Sequence, residues 1–407
     1  MEQAVNVSER RDLQSVVTSS TESESPNQPT PQESPEKLHR AKEYSRIKII
    51  LGIAGTILFF ILSLVFVLAG VTRWAEGAVR GLFQNDYLVL LGFSVLLGVI
   101  ESTLTFPMQF YSGYYLEHRY QLSNQSFLAW VWEGVKGMLV GVALGTPLLL
   151  AFYYCLKTFG SSWWLPVGTI VFLFSVIIAR IAPVLIFPLF YKFKPLEEGA
   201  LNTRILALCK RVGIAVQGVF VFDMSKNTKK ANAAFSGIGK SKRIILGDTL
   251  VANFTDDEIE SIFAHELGHY TMKHIWIMIM IGTVNSFVGL YLAARAYEES
   301  LLWFGFTSID QIAALPLLTL WLGLYSLITG PFSNMVSRAH ERAADRYAVR
   351  AMGNGEPFVN ALKKLASINL TDPAPNKVIE FLFHSHPSIE KRILAVEQNK
   401  SGGMMKR

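Results

Sequence analysis

His265, Glu266 and His269 stand in the order His-Glu-x-x-His within "TDDEIESIFAHELGHY", residues 255–270. On a helix, histidines four residues apart share one face about a turn apart, which is the bite a zinc ion needs. Glu266 then points about 100° away around the axis, where it reaches an activated water without taking a ligand position. A Lewis acid with a carboxylate base beside it is the equipment of a hydrolase. Gly268 lies inside the motif, and glycine in a helix interior costs roughly 1 kcal/mol relative to alanine. Its presence implies close packing there.

A catalytic zinc site uses three protein ligands and leaves one position open. The stretch "SNMVSRAHERAADRYAV", residues 333–349, offers Glu341 and Asp345 at i and i+4. Glu341 is placed to ligate and Asp345 to orient a ligating histidine. The alternative is a solvated helix face on which Arg338 and Arg342 form ion pairs. His340 is a further candidate ligand, although it points off the Glu341 face. In "FHSHPSIEKR", residues 383–392, His386 precedes Pro387. It is a candidate donor to the oxyanion of a tetrahedral intermediate, or simply a helix cap. His384 and His274 carry less weight, and His118 reads as structural.

These residues need a scaffold, and the rest of the sequence supplies one. Thr255 followed by Glu258 is a capping box, so a helix begins there. With no break signal, it continues into the apolar run that follows. At 51% hydrophobic and 17% charged residues, with a mean hydropathy of +0.31, the 407-residue chain belongs in a membrane. Stretches of about 20 apolar residues, enough to cross the hydrocarbon, occur at 47–71, 87–106, 137–156, 164–186, 275–294 and 312–329. Asn285 and Ser286 interrupt the fifth and Pro316 the sixth; polar groups in such helices face protein or a cavity. Lys37, Arg40, Lys42, Arg46 and Lys48 crowd the front of the first span and put the N-terminus in the cytoplasm. Six crossings then place both large polar regions, 187–274 and 330–407, on that same side. The net charge of +6 reflects this membrane bias, not a nucleic-acid partner. Cys155 and Cys209 suggest neither a bridge nor a thiolate metal site.

Residues 1–43 form a Ser-, Pro- and Glu-rich tail expected to be disordered. Residues 44–186 make a four-span membrane domain, and 187–407 a hydrolase domain that includes two further spans. Within it, 218–223 and 242–250 read as strands, and "ANAAFSG", 231–237, pairs with the second of them as a hairpin. The fold class is mainly α: a multi-spanning helical membrane protein whose HExxH domain contains a small β-sheet.

In these pieces the chain resembles the integral-membrane zinc metalloproteases that include the type I CAAX prenyl proteases and the HtpX-type proteases. The resemblance also runs through "YYLEHRYQLSNQSFLAW" (114–130), "IAPVLIFPLFYKFKPLEEGAL" (181–201) and "KKANAAFSGIGKSKRIILGDTLV" (229–251). It implies one zinc ion per chain on His265, His269 and Glu341, with Glu266 as catalytic base. It further implies Asp345 and His386 beside the reaction, and substrate binding at Asn232 and Ala233 by strand addition. The chain is thus similar to a membrane-embedded, CAAX-protease-like zinc endopeptidase acting on peptide or protein substrates, lipid-associated ones among them. The alternatives are a quality-control protease of HtpX type, or a metal-sensing or transport protein without hydrolysis. The short segment between 294 and 312 resembles bacterial members, which implies an inner-membrane protein with both termini and the zinc site in the cytoplasm.

Overall fold

In the computed structural model, residues 35–236 and 242–404 are described. Helix α1 (Pro35–Leu68) ends where Gly70 takes a positive φ of 74°, and α2 (Val71–Arg80) starts directly after it. Helix α3 (Asp86–Phe110) is capped by Asn85, whose side chain accepts the Tyr87 and Leu88 N–H groups. It runs through a π-helical turn at 111–115 into the one-turn α4 (Leu116–Arg119). Helix α5 (Phe127–Phe159) is capped by Ser126, and α6 (Trp164–Ile181) leads through a second π-helical turn to α7 (Phe187–Phe190).

The polar part opens with β1 (Phe193–Pro195), α8 (Ala200–Arg211) and β2 (Val219–Phe222). Strands β3 (Ala233–Ser236) and β4 (Arg243–Gly247) complete a four-stranded sheet in the order β1-β2-β4-β3. β2 and β4 are parallel, and the two outer pairs are antiparallel, which leaves β3 at an edge. Helices α9 (Asp248–Asn253), α10 (Asp256–Thr271), α11 (His274–Ser300) and α12 (Leu315–Met352) follow. Then come α13 (Glu356–Asn369), α14 (Lys377–Phe383) and α15 (Ile389–Met404).

Among the described residues six helical stretches are long and apolar enough to cross a membrane, at the six expected places. Each extends beyond its apolar run, because hydrophobicity marks the bilayer crossing and not the end of the backbone ladder. Residues 35–43, expected in the tail, are helical and belong to α1; residues 1–34 lie outside the described residues. Asn285 does face protein: Tyr325 on α12 donates to its side-chain oxygen at 2.9 Å. Pro316 does not interrupt the sixth span but sits in the first turn of α12, where no N–H is needed.

Three further expectations change. The strand expected to reach Leu250 stops at Gly247, because the Asp248 carboxylate turns the chain by accepting the Ser225 and Thr249 N–H groups. β1 was not foreseen: three residues ending in proline carry no readable alternation. The hairpin of β3 and β4 forms, while its connection at 237–241 lies outside the described residues. Most consequential is the helix carrying the histidines. It does not run on into the membrane but stops at Thr271, and Lys273 adopts a positive φ of 57° before α11 begins at His274.

One apolar core lies among the membrane helices, around Trp163, Tyr153, Tyr297 and Leu317. A second joins the sheet to α8 and α10 through Ile205, Ile244, Leu246 and Phe263. The capping box forms as read, with Thr255 Oγ1 accepting the Glu258 N–H and Glu258 Oε2 accepting the Thr255 N–H at 2.9 Å. Lys364 also reaches Glu258, at 2.7 Å, and so ties α13 to the start of α10.

Gly268 is explained by α12. A Cβ there would sit 3.1 Å from Ala344 Cα and 3.1 Å from the Tyr347 Cβ. Backbone cannot step aside, so Gly268→Ala must separate α10 from α12 despite its gain in helix propensity. We expect a net destabilisation of about 1–3 kcal/mol, read as a lower midpoint of thermal unfolding in detergent. An unchanged or raised midpoint would show that the contact does not restrain the two helices.

Candidate active site

Helices α10 and α12 bring three donor groups to one place. His265 Nε2 lies 3.2 Å from His269 Nε2 and 3.3 Å from Glu341 Oε2, and His269 Nε2 lies 3.1 Å from Glu341 Oε1. The three side chains offer ligand atoms within 4.8 Å of one another. A metal with bonds of about 2.0–2.1 Å in tetrahedral geometry spaces its ligand atoms about 3.3 Å apart. The cluster therefore has the dimensions of a metal's ligand shell before any ion is added. Glu341 Oε2 is buried with His386 Nδ1 at 2.8 Å and His265 Nε2 at 3.3 Å beside it, and among the described residues neither is aligned as a hydrogen bond to it. The cluster also attracts positive charge. Burial works against the His265 imidazolium, but the Asp345 and Glu341 carboxylates outweigh it and raise the pKa to about 9.

Each histidine is held from behind. Asp345 Oδ1 accepts from His265 Nδ1 at 2.8 Å, which leaves the Nε2 lone pair facing the cluster. Arg392 on α15 grips the same carboxylate in a fork, Nη2 to Oδ1 at 2.6 Å and Nε to Oδ2 at 2.9 Å. Asp345 is buried at 4% exposure and Arg392 at 9%, so each is the other's counter-charge. His269 is held by His274, Nδ1 to Nδ1 at 3.1 Å. The break at Lys273 makes that contact possible by turning the start of α11 back onto α10.

The other expected residues divide. His386 lies in the turn ahead of α15, exposed, with Nδ1 2.8 Å from Glu341 Oε2. His340 stacks on His274 with ring centroids 4.1 Å apart and points no nitrogen into the cluster. Arg338 makes no surface ion pair: it is buried and donates to the carbonyls of Glu380, Phe381 and His384. His118 is structural, both ring nitrogens lying 2.8 Å from a backbone carbonyl. Sequence reasoning missed Arg392 and undervalued His274. Nothing local marks Arg392, whereas the Lys273 break that brings His274 round carries no glycine to announce it.

Glu266 is half-buried and lies where two clefts meet. One, of about 490 Å³, is lined by Ala231, Ala233, Glu341, Asn369, Asp372 and His386. The other, of about 500 Å³, is lined by Phe235, His269 and His274, and by Ile275, Met278 and Ile279 of α11. Burial raises the Glu266 pKa above the usual carboxylate value, with His265 and His269 opposing. Edge strand β3 spans both clefts. Its approach corrects one expectation: the Asn232 carbonyl does not face a substrate but accepts the Gly247 N–H of β4 at 2.9 Å. Only the exposed Asn232 side chain is left to contribute. Backbone groups alternate sides along a strand, so those of Ala233 turn to the open edge.

A family model described as "Peptidase family M48" matches residues 195–400. A second, described as "CAAX prenyl protease N-terminal, five membrane helices", matches residues 14–192. Four of the six long apolar helices end within that second stretch. The chain is 32% identical over 375 residues to the uncharacterized metalloprotease YhfN of Bacillus subtilis, covering 90% of this chain and 87% of that one. It is 28% identical over 391 residues to CAAX prenyl protease 1 of Saccharomyces cerevisiae, covering 89% and 86%. It also matches the crystal structure of S. mikatae Ste24p with a TM-score of 0.81 at 27% identity, over 92% of each chain.

The Asp345 contacts generate a prediction independent of any assay of turnover. Asp345→Asn keeps the size of the side chain but gives up the charge that holds His265 and Arg392. Metal affinity, measured by competition with a chelator, should fall about 10–100-fold. Unchanged affinity would mean that His265 is oriented by other contacts.

Proposed function

The chain belongs to peptidase family M48 and is an integral-membrane metalloprotease; from that premise we propose that its metal is zinc, one per chain, held by His265, His269 and Glu341. The observation that carries this reading is the triangle of two imidazole nitrogens and a carboxylate at 3.1–3.3 Å. Two imidazoles, one carboxylate and an open position form a common set for catalytic zinc.

When bound, zinc supplies Lewis acidity, activating water and polarising the scissile carbonyl. Glu266 takes a proton as the water oxygen attacks the carbonyl carbon, and delivers it to the amine as the C–N bond breaks. Its raised pKa suits both halves of that task. His386, beside Glu341 and exposed to the cleft, donates a hydrogen bond to the developing oxyanion. Asp345 keeps His265 in the ligating tautomer, with Arg392 fixing Asp345, and Ala233 holds the peptide as an added strand.

The groove favours a CAAX-protease-like substrate class. One of its two clefts is lined by Ile275, Met278 and Ile279 at the start of a membrane-crossing helix, which suits a peptide whose upstream part is lipid-associated. Basic residues in the first turns of α1, ahead of its apolar run, support placing the site and both termini in the cytoplasm, and the short 294–312 segment supports an inner-membrane, bacterial setting. A quality-control protease would use the same chemistry and differs in substrate, so prenylated carboxyl-terminal peptides should be compared with unfolded membrane segments.

Glu266→Gln should retain one zinc per chain by metal analysis while peptide cleavage drops by about 10²–10⁴-fold. Wild-type cleavage should be abolished by a chelator and restored by zinc. Full activity of Glu266→Gln would refute the proposed mechanism.

A further inference from the structure

We infer that the cleft behind the metal cluster, between α12, α14 and α15, binds the phosphate of an anionic phospholipid whose acyl chains lie along the apolar side chains at the membrane end of α14. The inference is independent of which peptide the metal site cuts.

The cleft has a volume of about 540 Å³ and holds more cations than carboxylates. Both of its acids are paired, Asp345 with Arg392 at 2.6 Å and Glu380 with Lys391 at 2.6 Å. Arg338, Arg342, Arg346 and Lys377 line it as well. Arg338 is buried and directs its donors to backbone carbonyls, which carry no counter-charge. Arg342, Arg346 and Lys377 are exposed, and among the described residues none of them pairs with a carboxylate. Uncompensated positive charge in a concave surface focuses the field there and draws in an anion.

The helical period arranges three of these cations. Arg338, Arg342 and Arg346 recur every four residues and so share one face of α12. Like charges at that spacing repel one another and weaken the helix. An anion lying against the row relieves the repulsion, and guanidinium forks match the oxygens of a phosphate.

The other end of the cleft is apolar and faces the bilayer. Asn334 Nδ2, just past the sixth span, donates to the Leu382 carbonyl at 3.0 Å, whereas Lys377 shares the cleft with Arg342 and Arg346. α14 therefore runs antiparallel to α12, with its last turn toward the membrane. In that turn Phe381, Leu382 and Phe383 are exposed, and so are Phe332 and Met335 on α12. Large apolar side chains gathered at a membrane boundary belong in lipid. Met335 and Arg342 are two turns apart, about 10 Å along the helix. That separation is comparable with a headgroup layer of roughly 5–8 Å plus the reach of an arginine side chain. A ligand with a hydrocarbon tail and a negatively charged head satisfies both ends of the cleft, and a soluble anion satisfies one. Cytoplasmic leaflets are rich in such lipids, in keeping with the side proposed for the polar part.

The test uses the full-length protein in detergent, with bound lipids counted by native mass spectrometry during titration with phosphatidylglycerol or phosphatidylcholine. Wild type should retain phosphatidylglycerol at concentrations where phosphatidylcholine does not bind. Replacing Arg342, Arg346 and Lys377 together by glutamine should weaken the tightest phosphatidylglycerol binding roughly 100-fold and leave phosphatidylcholine unaffected. An unchanged unfolding midpoint without lipid reports that this variant folds; Arg342→Gln with Arg346→Gln serves if it does not. Lys210→Gln with Arg211→Gln, which removes charge at the end of α8, should retain wild-type binding. Glycerol phosphate at an equal concentration should not displace the lipid. Equal retention of the two lipids, equal loss in the α8 variant, or wild-type affinity in the cleft variants would overturn the inference. Displacement by glycerol phosphate would overturn it in favour of a soluble phosphate.

Discussion

The close approach of α10 to α12 is the constraint on which the rest of the structure depends. Two imidazole nitrogens and the two oxygens of one carboxylate, 3.1–3.3 Å between neighbours, come from two helices, so an error of one ångström between those helices would dissolve the cluster. Gly268 sets the distance, with no side chain where Ala344 and Tyr347 press. Behind it, Ala264, Ala348, Phe358, Leu362 and Val396 form a small apolar core joining α10, α12, α13 and α15. That core keeps solvent from Asp345 and Arg392, whose mutual pairing is what makes two buried charges tolerable there.

The membrane helices contribute to the site as more than an anchor. α12 carries Glu341 out of the last span on an unbroken helix, so the position of that side chain is set by the packing of the span itself. α11 contributes through the break at Lys273, which lets α10 lie buried in the polar part while His274 returns to support His269. α1 reaches the groove from a third direction. Tyr44 donates to Glu117 at 2.6 Å, and Lys230 reaches the same carboxylate at 2.9 Å, just ahead of the segment that becomes β3. Burial of Glu117 among these partners, and the Ser45 bonds to the 370–372 turn, join the membrane helices to the edge where a substrate would lie. The edge of β3 is thereby tied to α1, α4 and the 370–372 turn as well as to its own sheet.

What the sequence determined by itself was whatever depends on near neighbours along the chain. The i, i+4 bite of His265 and His269, the Thr255–Glu258 cap, the six apolar stretches and the hairpin of β3 and β4 are all consequences of local periodicity, and all are present. The inward turn of Asn285 was also legible, since a polar group in a span has nowhere else to go. Residue logic alone left the third donor open between Glu341, His340 and a solvated face. Only the tertiary structure separates these side chains, stacking His340 on His274 and turning Glu341 to the two imidazoles. The same holds for Arg392 on Asp345, for the positive φ at Lys273, and for the Asn369 amide on Ala231, 138 residues apart. These depend on which side chains meet after the helices pack, and a pattern of period 3.6 or 2 fixes which face is buried without fixing what that face will touch.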